Sequence, residues 1–334
     1  MNRMLGWLAT SRYAAVLLLL VGIVTYFAVS EGSRFLSQAN IENLLGSVSI
    51  LWIVAIGMTF VVLTGGIDLS VGAVVALAGL VLAKLFNGVG VPAPLAVLLT
   101  VGFGATLGAA VNGVLIGRAR LSFFVVTLGT ASLYQGIVSI WSNTQTEYID
   151  SSLIGGIGFG SALGLSTPIW IMLGVFLVAF VVLRWTYFGR DIYAVGGNIE
   201  AARLSGINTT ATIVAAYGVV GACAALAGVV QAGRLGASSP DVGAEIPLAA
   251  AAAVLLGGTS FLGGIGGVTG TAVGVLFIGT LQNGLAIKGV SSFWQQVVTG
   301  VILIVAVGID RIQQSPRGIV LRRRVRGEEM SDSG

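Results

Sequence analysis

Asp68, within the run LTGGIDLSVG (Leu63 to Gly72), is the only charged residue between Asn43 and Ala83. An ionised carboxylate in hydrocarbon is costly, so it belongs at a helix end, in a water-filled cavity or beside a donor. Gly65 and Gly66 can take backbone angles closed to other residues and so end one helix. Asp68 can then cap the next, starting near Leu69 with Ser70 in the same turn. Two roles stay open for this inner turn, a structural cap or a direct part in transport. The stretch GRDIYAVGGNIEAARLSGIN (Gly189 to Asn208) is the second informative segment, because it mixes charges and helix formers in a chain short of both. Its polar residues face water or a partner. Ile199 to Ser205 is expected to form a short helix, with Asn198 as cap and Gly206 as stop. A plain solvated connector is the alternative.

Other polar residues lie inside apolar runs: Thr59, Asn112, Gln135, Asn283, Gln295 and Gln296, with Trp141 and Trp294 near one end. Along a transport path such residues would give a solute hydrogen-bond partners that hold it loosely enough to be released. The same side chains also bond between membrane helices, at about 0.6 to 2 kcal/mol each. Tryptophans there often act as interfacial anchors. The chain has no histidine and one cysteine, Cys223. It therefore lacks the commonest general base and metal ligand, and no internal disulfide can form. No catalytic residue and no metal site are expected.

The elements that must position these residues are membrane helices. The chain is 56% hydrophobic and 9% charged, with a mean hydropathy of +0.98, where soluble domains carry roughly 25% charged residues. Its 50 glycines in 334 residues suit closely packed helices in a bilayer. The class is an all-α membrane protein. About ten transmembrane helices are expected: Tyr13 to Val29, Leu44 to Thr64, Leu69 to Phe86, Pro94 to Ile116, and Leu121 to Trp141. After a polar loop, Ser142 to Ser166, come Thr167 to Leu183, Thr212 to Ala232, Pro247 to Leu262, Val268 to Ile287 and Phe293 to Ile309. The eighth is the weakest, broken by Gly257 and Gly258. The first exceeds the roughly 7 to 15 apolar residues of a signal peptide and is read as a retained helix.

Ten spans place both termini on one side. With that side cytoplasmic, 13 basic residues fall inside, Arg118, Arg184, Arg190 and Arg203 among them, against Arg34, Lys84, Arg234 and Lys288 outside. Residues 1–311 read as one transmembrane domain, with a cytoplasmic loop at 184–211. Residues 312–334 form a basic tail whose Arg322 to Arg326 would lie against anionic lipid. An internal repeat shows as Gly108, Asn112 and Gly113 recurring as Gly279, Asn283 and Gly284. Five spans per unit would invert the second half, as in alternating-access transporters. The double glycines at Gly65 and Gly257 do not share that register.

Three blocks carry a resemblance: GMTFVVLTGGIDLSVGA (Gly57 to Ala73), GRDIYAVGGNIEAARLSGI (Gly189 to Ile207) and LLGGTSFLGGIGGVTGT (Leu255 to Thr271). In this order and spacing the chain resembles, from about Leu44 to Asp310, the inner-membrane permeases of sugar-type ATP-binding-cassette importers. These are the ribose, xylose, galactose and arabinose group. The resemblance implies that the loop Gly189 to Asn208 docks on an ATPase subunit, through Gly196, Gly197, Asn198, Glu200, Ala201, Ala202, Arg203 and Gly206. Glu200, Ala201, Ala202 and Gly206 match the start of the import-permease EAA signature. The later apolar residues and proline of that signature are missing here. Lys84 and Lys288, the only lysines, do not sit in a Walker A pattern. No cofactor is therefore expected in this chain, and ATP and magnesium belong to the partner ATPase. A periplasmic binding protein, a second permease copy or a related permease, and membrane lipid complete the implied partners, with no nucleic acid. The implied setting is a multi-pass protein of the bacterial inner membrane. A branched-chain amino acid importer and a stand-alone secondary transporter are the competing readings. The second would call for more buried charge.

Overall fold

The computed structural model describes residues 14–314. The tail arginines Arg322 to Arg326, and Arg3 and Arg12, lie outside the described residues. The first helices are α1 (Ala14–Glu31), the single turn α2 (Ser33–Leu36), α3 (Gln38–Leu63), α4 (Val71–Gly88), α5 (Ala93–Gly117) and α6 (Phe123–Ser142). Then come β1 (Glu147–Tyr148), α7 (Ser152–Phe159), the hairpin β2 (Ser161–Ala162) and β3 (Leu165–Ser166), and α8 (Thr167–Trp185). The remainder is α9 (Tyr187–Gly197), α10 (Ile199–Leu204), α11 (Thr209–Leu235), β4 (Ala237–Ser238), α12 (Ile246–Leu256), α13 (Val268–Ile287) and α14 (Ser292–Gln314). The protein is an all-α membrane protein.

Among the described residues, eight helices are long and apolar enough to cross a membrane. Two shorter apolar helices, Ile246–Leu256 and Ser292–Gly308, stand where the eighth and tenth spans are expected. The eighth departs most from its expected bounds, Pro247 to Leu262. Its helix does stop before Gly257, but only 11 residues are helical, and the chain is also irregular before it, from Ser239 to Glu245. The expected polar loop Ser142 to Ser166 departs too. It folds as α7 and a hairpin, and Gly158 of α7 meets the backbone of Gly233 on α11 so closely that a Cβ would collide. This stretch is poor in charge but rich in glycine, which lets short elements pack where longer side chains would hold them apart.

The core is organised on α3, whose residues from Ser49 to Leu63 are nearly all buried. α11 crosses both α3 and α5. The crossing with α5 is backbone against backbone, since Gly104 and Gly108 of α5 face the Gly221 and Tyr217 carbonyls. Close approach of this kind replaces the hydrophobic effect as glue between helices in lipid. Gly279 of α13 makes room for the Val48 side chain of α3. At one end of the bundle β1 pairs with β4, and Lys84 bonds Glu147 at 2.5 Å. At the other end lie the α3–α4 connector, α9, α10 and the glycine-rich loop 257–267.

Candidate functional site

The second end of the bundle brings the two informative segments together. Thr64, Gly65 and Gly66 form a tight turn on the end of α3, with Gly65 at φ 84°, a region that favours glycine. The chain then enters the protein. Asp68 is 2% exposed, and its Oδ1 accepts from the Ser70 N–H at 2.8 Å and the Ser70 hydroxyl at 2.5 Å. Asn112 of α5 donates to Asp68 Oδ2 at 3.2 Å and to Ser70 Oγ at 2.9 Å. Asp68 thus braces the turn that leads into α4, which starts at Val71 instead of Leu69 and has Ser70 at its N-cap position with no side-chain cap hydrogen bond. The Tyr217 hydroxyl donates to the Ile67 carbonyl at 3.4 Å, a support from α11 that a sequence pattern gives no sign of.

What touches the segment 189–208 is the backbone around this turn and not the carboxylate. Gly196, near the end of α9, lies on the Leu63 carbonyl and on Gly264, leaving no room for a Cβ. The Gly264 N–H also donates to the Leu63 carbonyl, at 2.8 Å. The Tyr193 hydroxyl of α9 donates to the Gly266 carbonyl at 3.0 Å. Burial pushes the Tyr193 phenol above its ordinary range, and the Arg184 charge partly offsets this. α9 is amphipathic: Gly189, Ile192 and Val195 are buried while Tyr187 is exposed. Thr186 caps it by accepting from the Gly189 N–H.

α10 forms for local reasons. The Asn198 side chain accepts from the N–H groups of Glu200 and Ala201, both at 3.0 Å. Gly206 ends it in the left-handed region, at φ 85°. Ala202 is its inward residue, and Gly197, Glu200, Ala201 and Arg203 are exposed. Glu200 and Arg203 pair at 2.8 Å, and Leu204 beside them is 82% exposed. This is a short, capped, firmly seated helix with a mixed charged and apolar outer face. Between α8, α9 and the glycine-rich loop a cavity of about 450 Å³ opens, lined by Arg184, Tyr193, Gly257, Gly258, Gly266 and Gly267.

The polar residues predicted along a solute path do not converge on one cavity. Thr59 is buried against Thr271 at 2.8 Å. Asn283 exchanges hydrogen bonds with Asn40. Asn112 belongs to the Asp68 cluster, and Gln295 donates to the Val290 carbonyl. Gln135 and Gln296 both reach the irregular stretch before α12, Gln135 donating to the Pro240 carbonyl at 2.8 Å and Gln296 to Glu245. Trp141 and Trp294 are exposed on the outside of the bundle. Sequence reasoning passes over Asp241 and Glu245, although Pro240 and Gly243 between them mark an irregular stretch.

The chain matches, over residues 40–307, the family described as branched-chain amino acid transport system / permease component. It is 41% identical over 313 residues to the ribose import permease protein of Escherichia coli, covering 92% of this chain and 96% of that protein. The D-allose transport system permease protein of Escherichia coli is 38% identical, with 87% and 89% covered. The xylose transport system permease protein of the same organism is 34% identical, again with 87% and 89% covered. No solved structure matches. With eight helices among the described residues long and apolar enough to cross a membrane, the chain is a multi-pass protein of the bacterial inner membrane and a transport permease, and it belongs to this permease family.

Proposed function

We propose that the chain is the pore-forming permease subunit of an ATP-binding-cassette importer that moves a monosaccharide or similar neutral polyol by alternating access. The observation that carries this is similarity over nearly the whole chain to permeases named for three sugars, ribose, allose and xylose. That range favours a sugar over the amino acids in the family's description, and leaves the particular sugar to the binding protein that delivers it.

In this reading the end bearing α9, α10 and the loop 257–267 is cytoplasmic, as are both termini, and α10 is the surface on which the ATPase pulls. Its support is the rigid seat of α9 on the end of α3 at Gly196, because force on an exposed helix is transmitted only through a firm contact. The inverted five-plus-five repeat is supported by reciprocal packing. Gly108 and Gly113 of α5 lie on α11, the second span of the second half, and Gly279 of α13 lies on α3, the second span of the first half. A second permease copy, or a related permease, completes the pore.

Vesicles holding this permease with its ATPase should accumulate sugar only when ATP is inside and a loaded binding protein is outside. Uptake that persists without the ATPase would overturn the reading in favour of a secondary transporter.

A further inference from the structure

The chain between α11 and α12 does not stay at the rim of the bundle. After β4 it runs inward along α4, so that Ser238 lies on Gly79 and Gly243 lies on Gly72. Gln135, whose amide holds the Pro240 carbonyl, is the thirteenth of the 20 residues of α6, about 18 Å along a helix that rises about 1.5 Å per residue. α12 then begins at Ile246. The eighth span is therefore discontinuous, an irregular half followed by a half-helix, with Glu245 at the junction. Irregular backbone at membrane depth persists only where protein buries it or where it lines a water-filled cavity, and interrupted spans of this kind hold solute sites in transporters.

The backbone of this stretch satisfies itself, with the Ile246 N–H donating to the Gly243 carbonyl at 3.0 Å and the Ala249 N–H to the Glu245 carbonyl at 3.2 Å. The side chains of Asp241, Ala244 and Glu245 are exposed. Gln296 of α14 donates to Glu245 Oε1, and Glu245 Oε2 takes no hydrogen bond among the described residues. Exposure of this carboxylate to lipid would be costly. The sides of α6 and α14 that suit lipid are apolar, as at Ile140 and Ile304. The irregular stretch meets polar groups instead: Gln296 of α14 donates to the Glu245 carboxylate, and Gln135 of α6 donates to the Pro240 carbonyl five residues before it.

We propose that Gln135, Glu245 and Gln296 form a hydroxyl-binding station on the sugar's path, with Glu245 accepting hydroxyl hydrogens and the amides donating and accepting. The assignment rests on the importer reading. A neutral polyol suits it because an amide and a carboxylate together match a hydroxyl as both acceptor and donor. A single station of this sort binds weakly enough to release its solute.

The test uses the assembled importer in proteoliposomes, with Cys223→Ala as background, since Cys223 is the only cysteine. Ala244→Cys is compared with Ile140→Cys and Ile304→Cys for reaction with a charged, membrane-impermeant methanethiosulfonate. Ala244→Cys should react at least about tenfold faster than the other two, because thiolate forms only in contact with water. D-ribose presented during turnover should slow that reaction. Glu245→Ala should lower uptake by about tenfold, in line with the loss of a charged hydrogen bond, and Glu245→Gln, which keeps an acceptor oxygen, should restore most of it. Labelling no faster than at Ile140→Cys, labelling indifferent to D-ribose, or full uptake by Glu245→Ala would each overturn the station. Labelling reads water exposure without transport, so failure of the station is distinct from failure of the importer reading, which would show as no uptake by the unmutated protein.

Discussion

Asp68 is held by three donors, the Ser70 N–H, the Ser70 hydroxyl and the Asn112 amide, and its effect on the protein follows from losing them. Asp68→Ala leaves those donors buried and unpaired, at about 1–3 kcal/mol for each such group. Asp68→Asn keeps an oxygen for Ser70. The Asn112 carbonyl oxygen, buried without a partner, can serve the new amide if the Asn112 side chain turns over. Thermal unfolding in detergent should therefore show a large loss for Asp68→Ala and a small one for Asp68→Asn. If Asp68→Asn is stable yet blocks ATP-driven uptake, the charge has a direct role; if uptake is kept, the residue is a structural brace. Asp68 is legible in the sequence because no other charge stands near it. Glu245 is not, because Pro240 and Gly243 mark an irregular stretch without saying that it descends into the bundle.

At the scale of elements, α10 was the easiest to foresee and α12 the hardest. Asn198 and Gly206 bound α10 by bonds that span two or three residues, and such bonds are written into the local sequence. The alanine run of α12 fits a helix of any length, and its start depends on α4, where Gly72 receives Gly243. For α10, reversing either Glu200 or Arg203 should uncouple ATP hydrolysis from uptake while membrane insertion is kept. The double swap, Glu200→Arg with Arg203→Glu, restores the pair within the helix, itself worth only about 0.3–0.5 kcal/mol. Measured as ATP consumed per sugar moved, the double swap should remain uncoupled if the charges meet the ATPase. Recovery would mean that they serve only the helix. Asn198→Ala should weaken the helix by about 1 kcal/mol and raise the same ratio less.

Across the whole molecule, two connectors enter from opposite ends, one at Gly65 to Ser70 and one at Ser239 to Glu245, and they meet where Gly72 faces Gly243. A Cβ on Gly72 would strike the Gly243 carbonyl and sit 3.0 Å from the Pro247 ring. Gly72→Ala should lower thermal stability by about 1–3 kcal/mol through overpacking. Gly129→Ala, with nothing within 4 Å, should leave it unchanged in the same melting experiment. The meeting point couples the Asp68 turn to the Glu245 junction through backbone alone. No residue pattern could announce it, because glycines are frequent throughout this chain and many of them pack closely on some other element.

α3 carries a consequence for how the protein is made. It ends with 89% of its most apolar stretch inside protein, yet most of its partners, α8, α11, α12 and α13, follow it in the chain. During synthesis it must reside in lipid before they exist. Its long apolar run, without a charge after Glu42, suits that wait. So do its hydroxyls, since Ser49 donates to the Gly46 carbonyl and Thr59 to the Ala55 carbonyl within the helix. The bond between Thr59 and Thr271 closes only after 212 further residues have been made. The most buried helix of the transporter is thus composed as a solitary membrane anchor, because that is what it is for much of its assembly.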